Sequence, residues 1–459
     1  MPNALKTHSS NLKKRVLIAT SSKKPPDYSD SPLLPPRNTS SRAGSFISLF
    51  AGCGGLSLGL MNAGWRGILA VEKDPHAFAT FSNNLLNDPN GIGFEWPSWL
   101  PESPCEIASF LENYRDFISD LRGKIDLVAG GPPCQGFSLA GKRDENDPRN
   151  KLYKYYTEVV RLVQPPFILV ENVRGITIEF GKGNYTQQKE TNGEGSGIPY
   201  SERIKRDLDE LGYRVYGNLI NAVDFGVPQH RKRYFLFGVK KSMISEGQEI
   251  DPFSMLHRER KRFLFSKGLP IDRPNTTREA ISDLEVRGSV LTNCEDSPGF
   301  TQIVFKGART DYQRLLYGDM DIVSPNSLRL VNHSEKIIAR FAKIQSTCRK
   351  GVQLSVKDRK RLGINKHTIV PLDGDKPSHT ITTLPDDLLH YSEPRVLTVR
   401  ESARLQSFPD WFEFKGKYTT GGHLRVHECP RYTQVGNAVP PLLAEIIGLV
   451  LSDLKSELA

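Results

Sequence analysis

From Ser45 onward the chain alternates short apolar runs with stretches whose apolar residues recur at helical spacing. FISLF (Phe46–Phe50) has the length of a buried strand, a glycine cluster follows it, and LSLGLMNAG (Leu56–Gly64) predicts a helix. GILAVE (Gly67–Glu72) predicts a second strand. DPHAFATFSNNLL (Asp74–Leu86) predicts a capped helix with Pro at its first turn. The same reading gives strand IDLVAG (Ile125–Gly130), helix KLYKYYTEVVRLV (Lys151–Val163), strand FILVEN (Phe167–Asn172), helix SERIKRDLDELG (Ser201–Gly212) and strand RYFLFGV (Arg233–Val239). Strands and helices alternating at these lengths predict an α/β fold, a mostly parallel sheet covered on both faces. The rhythm is lost between 245 and 394, where loops and scattered basic residues such as RERKRF (Arg258–Phe263) prevail. It returns with LTVRESARLQ (Leu397–Gln406) and a closing helix, PPLLAEIIGLVLSDL (Pro440–Leu454). No internal repeat is present, and GEGSG (Gly193–Gly197) reads as a loop tip.

A chain of 459 residues has room for two or three domains. Its 62 Lys and Arg against 52 Asp and Glu give a net charge of +10, which suits a polyanionic partner without requiring one. Residues 1–44 hold eight Lys and Arg against two Asp and are rich in Ser and Pro, the composition of a disordered basic extension. The six cysteines (Cys53, Cys105, Cys134, Cys294, Cys348, Cys429) contain no CxxC pair, which argues against a zinc site and against a disulfide framework. No apolar run approaches the ~20 residues of a membrane span, and VLIA (Val16–Ala19) is too short for a signal-peptide core. The expectation is a cytosolic protein, nuclear if its source has a nucleus, with reduced thiols, no metal and no membrane partner.

GGPPCQGFS (Gly130–Ser138) is the stretch that asks for a chemical explanation. Pro132 and Pro133 fix φ and donate no backbone hydrogen bond, while Gly130, Gly131 and Gly136 add backbone freedom. Cys134 therefore falls on a stiff loop at the carboxyl end of a strand, where open α/β sheets bind ligands. On this ground alone a reactive thiol and a structural one stand equal.

FAGCGG (Phe50–Gly55) follows the first strand and opens the first helix, a turn that lets a nucleotide-like ligand approach the backbone. A dinucleotide fingerprint asks for a third glycine at position 57, where Ser57 stands. Glu72, at the end of the second strand, suits a ribose hydroxyl; the bland reading is a solvated strand end. ENV (Glu171–Val173) puts a carboxylate at an apolar strand end, where partial desolvation raises its pKa toward that of a general acid. The bland reading there is a salt-bridged Glu. In PQHRKRY (Pro228–Tyr234), Arg231 and Arg233 alternate at strand period and so face one way. They are suited to hold a base oxygen or a phosphate, or else form an exposed basic edge.

In this order, FAGCGG, GGPPCQGFS, ENV, the QxRxR segment Gln229–Arg233, RVLTVRESARLQSFP (Arg395–Pro409) and QVGNAVPP (Gln434–Pro441) make the chain resemble the cytosine-5 DNA methyltransferases of the bacterial modification type. The resemblance runs from Phe46 onward except across 245–394. It implies a Rossmann-like S-adenosylmethionine-dependent methyltransferase domain with a smaller, irregular target-recognition domain. The chain then divides into the extension 1–44, a catalytic domain 45–244, a target-recognition lobe 245–424 and a carboxyl-terminal segment 425–459 that returns to the catalytic domain.

The resemblance further implies that Phe50, Gly52, Gly54 and Gly55 line S-adenosylmethionine, with Glu72 on the ribose hydroxyls. Glu106 and Ile107 of CEIASF (Cys105–Phe110) would hold the adenine, Glu106 standing where the family usually has Asp. Leu152 would be a further cofactor contact, and Asn437, Ala438 and Val439 would close over the methionine portion. Ser48 and Lys73 also depart from the family's common Asp and aromatic residue. Cys134 would add to C6 of a flipped-out cytosine, Glu171 would serve its N3 side, and Arg231 and Arg233 would steady the base carbonyl and the catalytic loop. Lys142, Arg143 and Arg149 in SLAGKRDENDPRNK (Ser138–Lys151) would contact phosphates. The implied partner is double-stranded DNA, bound by a monomer, with a paired restriction endonuclease acting without stable contact.

Three alternatives are weighed against this reading. An RNA cytosine-5 methyltransferase keeps the fold and chemistry, and the long segment before Arg395 favours sequence-specific DNA over it. A catalytically inactive DNA-binding relative is opposed by the intact Cys134, Glu171 and Arg233. A Rossmann oxidoreductase is opposed by Ser57 and leaves GGPPCQGFS unexplained.

Overall fold

The computed structural model describes residues 43–87, 93–133, 152–178, 199–318, 324–421 and 428–459. Six strands form the main sheet: β1 (Gly44–Leu49), β2 (Trp65–Val71), β3 (Leu127–Gly130), β4 (Phe167–Val173), β5 (Tyr213–Asn221) and β6 (Lys232–Lys240). Their order is β2-β1-β3-β4-β6-β5. The junctions β2–β1, β1–β3 and β3–β4 are parallel, whereas β6 runs antiparallel to both β4 and β5. β3 pairs with β4 through Gly130 and Val170, so the strand before the GGPP segment and the strand carrying ENV are neighbours.

Both faces are covered, and the strand sequences show why. Phe46, Leu127, Ala129, Phe167 and Leu169 point into one apolar cluster; Ile47, Val128, Ile168 and Val170 point into the other. Residues of alternating direction must all be apolar when a sheet is buried on both sides, which produces the continuous runs that the sequence shows. β5 was not anticipated. It is a partly exposed edge strand whose Gly217 and Asn218 interrupt the apolar pattern. Gly217 lies under Tyr234, where an added Cβ would come 2.1 Å from the Tyr234 hydroxyl.

The closing helix, Pro441–Glu457, packs on the helix Gly55–Asn62 through small residues. A Cβ on Gly59 would sit 2.3 Å from that of Ala444, and one on Gly448 would sit 2.7 Å from that of Ala63. Trp65 Nε1 donates to Gly448 O at 2.8 Å. Leu443, Ile446, Ile447, Val450 and Leu451 of this helix are completely buried; at ~1.5–3 kcal/mol each, they anchor one face of the sheet. Arg431–Glu457 is in fact long and apolar enough to cross a membrane, contrary to the expectation that no stretch is. It is broken by Pro440, and 83% of its most apolar window is buried in protein, as befits a core helix.

The helix Pro252–Ser266 also belongs to this core. Phe253 packs edge-on to Phe237 of β6 with ring centroids 5.2 Å apart, and Leu264 and Leu269 lie against Gly226. The body built on the sheet thus continues past residue 245. Farther along, the helix Val399–Leu405 opens on a capping box between Thr398 and Glu401 and packs in the same core. Two smaller apolar clusters lie apart from it. One surrounds Leu284, Ile303 and Leu328 beside the hairpin Leu291–Asn293 and Thr301–Ile303; the other surrounds Phe341, Ile344 and Leu354.

Candidate active site at the carboxyl ends of the parallel strands

β1, β2, β3 and β4 all end at one edge of the sheet, and antiparallel β6 begins there. Every motif singled out in the sequence that the structure describes comes to this edge or packs behind it, as expected for ligand binding in an open α/β sheet.

After β1 the chain makes a tight turn in which Phe50 (φ 55°), Gly52 (φ 58°) and Gly54 (φ 101°) are all left-handed. A phenylalanine held there is strained and must be over-determined by its neighbours. Two of the ties come from β2. Ala51 N donates to Val71 O at 3.0 Å, and Gly52 N donates to Glu72 Oε2 at 2.8 Å. Asp74 N donates to Glu72 Oε1 at 2.8 Å. Burial pushes the Glu72 pKa up, and the backbone donors Asp74 and Gly52 oppose that shift. Each carboxylate oxygen still has a lone pair for a ligand hydroxyl. Among the described residues, no atom lies within 4 Å of a Cβ built on Gly52, so none of them fills the space above this turn. An open glycine backbone beside an acceptor carboxylate fits the ribose-bearing cofactor that the resemblance implies.

Glu106, Ile107 and the Asn437–Val439 segment lie close to the same turn. Cys105 N donates to Glu72 O at 2.8 Å, which brings Glu106 and Ile107 to the end of β2. Ile107 is buried at the start of the helix Ile107–Asn113, and Glu106 stands at its N-cap. A Cβ on Gly55 would fall 2.4 Å from Val439 O and 3.4 Å from the Ala438 Cβ, so glycine alone admits the Asn437–Val439 segment. Leu152 and Phe50 both pack against the cluster beneath the sheet. Ser57, in the place of a third glycine, donates to Ser48 at 3.0 Å, so two departures from pattern form one buried hydrogen bond. Cys53, in the midst of the turn, is buried and its pKa is pushed up to about 12, chiefly by desolvation; it is an inert thiol.

Two strands away, Glu171 lies near the end of β4 in register with Phe235, and Arg233, near the start of β6, is in register with Val173. Arg233 Nε meets Glu171 Oε1 at 3.1 Å, with both side chains largely enclosed. Desolvation raises the Glu171 pKa, and the charges of Arg233 and then Arg231 oppose that rise. Beside this pair runs the segment leading to Cys134. A Cβ on Gly131 would lie 3.1 Å from Glu171 Oε2, and Asn172 Nδ2 donates to Pro132 O at 3.2 Å. Cys134, Lys142, Arg143 and Arg149 lie outside the described residues.

Arg231 departs from the expected arrangement. Its guanidinium is fully buried and donates to Ile381 O at 3.1 Å, Gly436 O at 2.8 Å and Ala438 O at 2.9 Å. All three acceptors are backbone carbonyls, so Arg231 clasps the chain that carries the cofactor segment, while Arg233 faces Glu171. Arg231 precedes β6, which begins at Lys232, and strand period did not show this division of labour.

Sequence reasoning also missed what holds the clasp. Gln229 Nε2 donates to Leu405 O and Gln406 Oε1, Ile381 N donates to Gln229 Oε1, and Gln406 Nε2 donates to Val435 O. Gly436 is pressed against Thr382, whose carbonyl would lie 2.4 Å from an added Cβ. The glutamines at the heads of the QxRxR and QVGN segments were visible in the sequence, but their partners were not. Gln434 accepts from Thr80 Oγ1 and donates to Lys415 O and Cys429 O, locking the same segment from the other side.

A family model described as C-5 cytosine-specific DNA methylase covers residues 44–453. The chain is 32% identical over 417 residues to the Type II methyltransferase M.DdeI of Desulfomicrobium norvegicum, spanning 88% of this chain and 87% of that protein. It is 32% identical over 411 residues to the Type II methyltransferase M1.HphI of Haemophilus parahaemolyticus, spanning 88% and 85%. Among solved structures, a prophage-encoded protein of E. coli described as a DNA modification methyltransferase superposes with a TM-score of 0.59. It is 26% identical and is matched over 90% of this chain and 99% of its own.

Proposed function

Because the chain belongs to the C-5 cytosine-specific DNA methylase family, and is a DNA (cytosine-5-)-methyltransferase of the type II restriction–modification kind, we propose that it methylates one flipped-out cytosine in a specific duplex sequence through a covalent bond from Cys134. The observation that carries this reading is the enclosed Glu171–Arg233 pair beside the Gly131–Pro133 segment, with the glycine turn and Glu72 across the neighbouring strands.

S-adenosylmethionine supplies the electrophilic methyl group, and Phe50, Gly52, Gly54, Gly55, Glu72, Glu106, Ile107, Leu152 and Asn437–Val439 are the residues suited to hold it. Cytosine C5 is a weak nucleophile in the aromatic ring. Addition of the Cys134 thiolate to C6 makes C5 enamine-like and divides one hard step into easier ones. Negative charge then builds toward N3, where Glu171, held above the usual carboxylate range by burial, donates a proton or a hydrogen bond. Arg233 fixes the Glu171 carboxyl in place, and Arg231 acts as a positioning residue through the carbonyls it clasps. Once C5 carries the methyl group, a base takes the C5 proton and β-elimination expels the Cys134 sulfur from C6. The target atom is buried in a stacked duplex, so the base must first leave the helix at a few kcal/mol.

Lys142, Arg143 and Arg149 are assigned to phosphate contacts that fix register, and the choice of sequence is assigned to the 245–394 segment. The enzyme acts as a monomer and protects DNA from a paired endonuclease that it does not stably contact. Genome-wide bisulfite sequencing of a naive host expressing the chain tests the reading: one short sequence methylated at a single cytosine is expected. Methyl incorporation into RNA with an unmodified genome would contradict it. Exchange of residues 245–394 with those of a methyltransferase of different specificity should transfer the donor's pattern. An active chimera that keeps the original pattern would overturn the assignment of that segment.

A further inference from the structure

Positive charge is unevenly distributed along this chain. Residues 335–366 carry ten Lys and Arg against two Asp and Glu, and residues 1–44 carry eight against two; all other residues together, at 44 against 48, are net negative. Outside the amino-terminal extension, this 32-residue segment therefore carries a cation excess that the remaining residues, taken together, lack.

Two helices, Glu335–Thr347 and Val356–Arg361, build this segment around a small apolar cluster in which Phe341, Ile344, Leu354 and Ile364 meet Ile369, Leu389 and Val396. Lys336, Arg340 and Lys343 recur at i, i+4 and i+7 and so form one stripe along the first helix, which Thr347 extends by another turn. Thr347 Oγ1 accepts from Arg361 of the second helix at 3.4 Å, so the stripe continues into Lys357, Lys360 and Arg361. Asp358 is committed to Arg361 at 2.9 Å. Lys336, Lys343, Arg349, Lys357 and Lys360 are exposed.

The segment is connected to the reaction edge of the sheet. Gly351 N donates to Pro371 O at 2.7 Å, and Gly351 O meets His379 Nε2 at 3.0 Å. On either side of His379, Ser378 N donates to Pro228 O at 2.9 Å and Thr380 Oγ1 donates to His230 O at 2.7 Å, directly before Arg231. These bonds fix the basic segment beside the chain that leads into Arg231 and β6.

We propose that residues 335–366 are a phosphate clamp, holding the duplex backbone outside the bases that are read and adding affinity without sequence choice. This deepens the DNA-methylation reading and rests on it. Base contacts then fall to other parts of the recognition lobe, and the clamp contributes through release of counterions from the phosphates it covers.

The test replaces Lys336, Lys343, Arg349, Lys357 and Lys360 with Gln in the full chain, beside a charge-preserving set in which each Lys becomes Arg and Arg349 becomes Lys. Affinity for a long mixed-sequence duplex is measured across a range of salt concentrations, and methylation patterns are compared by bisulfite sequencing. Each lost phosphate contact lowers the slope of log affinity against log salt by ~0.9, so a drop approaching ~4 is expected for the Gln set. The methylation pattern and the thermal midpoint should stay those of the parent, and the charge-preserving set should bind as the parent does. An unchanged slope would show a merely solvated face, and a changed pattern would show that bases are read there; either overturns the clamp. Equal loss of affinity in the charge-preserving set would also overturn it, because shape rather than charge would then be responsible. The slope is read from binding alone, so it decides the clamp separately from failure of the parent to methylate DNA, which would sink the underlying reading instead.

Discussion

Beside β1 and β2 the site is built from backbone: left-handed glycines, amide donors on Glu72, and the Val439 carbonyl that presses against Gly55. Beside β4 and β6 it is built from enclosed charged side chains, Glu171 against Arg233. On the proposed function, the contrast follows from what each half must do. A cofactor of fixed shape is best met by a cradle that admits no side chain and costs no reorganisation. A base that gains charge during the reaction is best met by groups whose protonation can respond to it. Changes in the first half should therefore appear as altered binding, and changes in the second as altered rate.

The largest effect expected is that of Cys134→Ser. A serine hydroxyl is far less available as an anion near neutral pH, so methyl transfer should fall by more than ~10⁴-fold while S-adenosylmethionine binding holds. Tritiated-methyl incorporation and cofactor titration on the same preparation check both parts, and near-parental incorporation would remove Cys134 from the mechanism.

Next is Glu171→Gln, which should slow single-turnover methylation by ~10²–10⁴-fold with little change in cofactor affinity. The Glu171 pKa is raised, so the carboxyl keeps its proton to higher pH, and the parent rate should decline as pH rises through that value. The variant should lack this decline. Weakened cofactor binding with a normal rate would place Glu171 in the other half of the site.

Arg231→Met sharpens the comparison, because Arg231 lies two residues from Arg233 yet serves the cofactor side. Removing the guanidinium strands three buried carbonyls at ~1–3 kcal/mol each, less whatever relaxation recovers. The thermal midpoint should fall and the cofactor dissociation constant should rise. Loss of rate alone, with stability and cofactor affinity intact, would show Arg231 acting on the base instead.

The smallest effect expected is that of Glu72→Gln. An amide accepts through one oxygen and cannot serve both backbone donors and a hydroxyl, so cofactor affinity should drop by roughly tenfold to a hundredfold, corresponding to ~1.5–3 kcal/mol. The rate at saturating cofactor should be preserved. An unchanged affinity by isothermal titration would take Glu72 out of the cradle.

The first half was the more legible in sequence. Glycines at Gly52, Gly54 and Gly55 and an acid ending the next strand are local signals, and backbone geometry enforces what they announce. The same holds for the adjacency of the Cys134 and Glu171 strands, because apolar runs such as IDLVAG and FILVEN can pair only in the middle of a covered sheet. Arg231 was less legible, since its acceptors lie 150, 205 and 207 residues away and are backbone atoms, which leave no mark in a sequence. The helix Pro252–Ser266 was hidden for another reason. Its middle reads RERKR (Arg258–Arg262), and that polar run masked the buried Phe253, Leu256, Phe263 and Leu264 that fix it to the core. β5 was lost to Gly217, whose missing side chain makes room for Tyr234.

The central claim is a covalent bond between Cys134 and the target base, and a mechanism-based trap tests it most directly. With 5-fluorocytosine at the methylated position and S-adenosylmethionine present, the C5 fluorine cannot leave as a proton does, and elimination stalls. The account predicts a protein–DNA adduct that survives denaturing electrophoresis, with the nucleotide on the peptide containing Cys134, and no adduct from Cys134→Ser. On a duplex that the parent enzyme demonstrably methylates, absence of the adduct, or its attachment to another residue, would contradict the account.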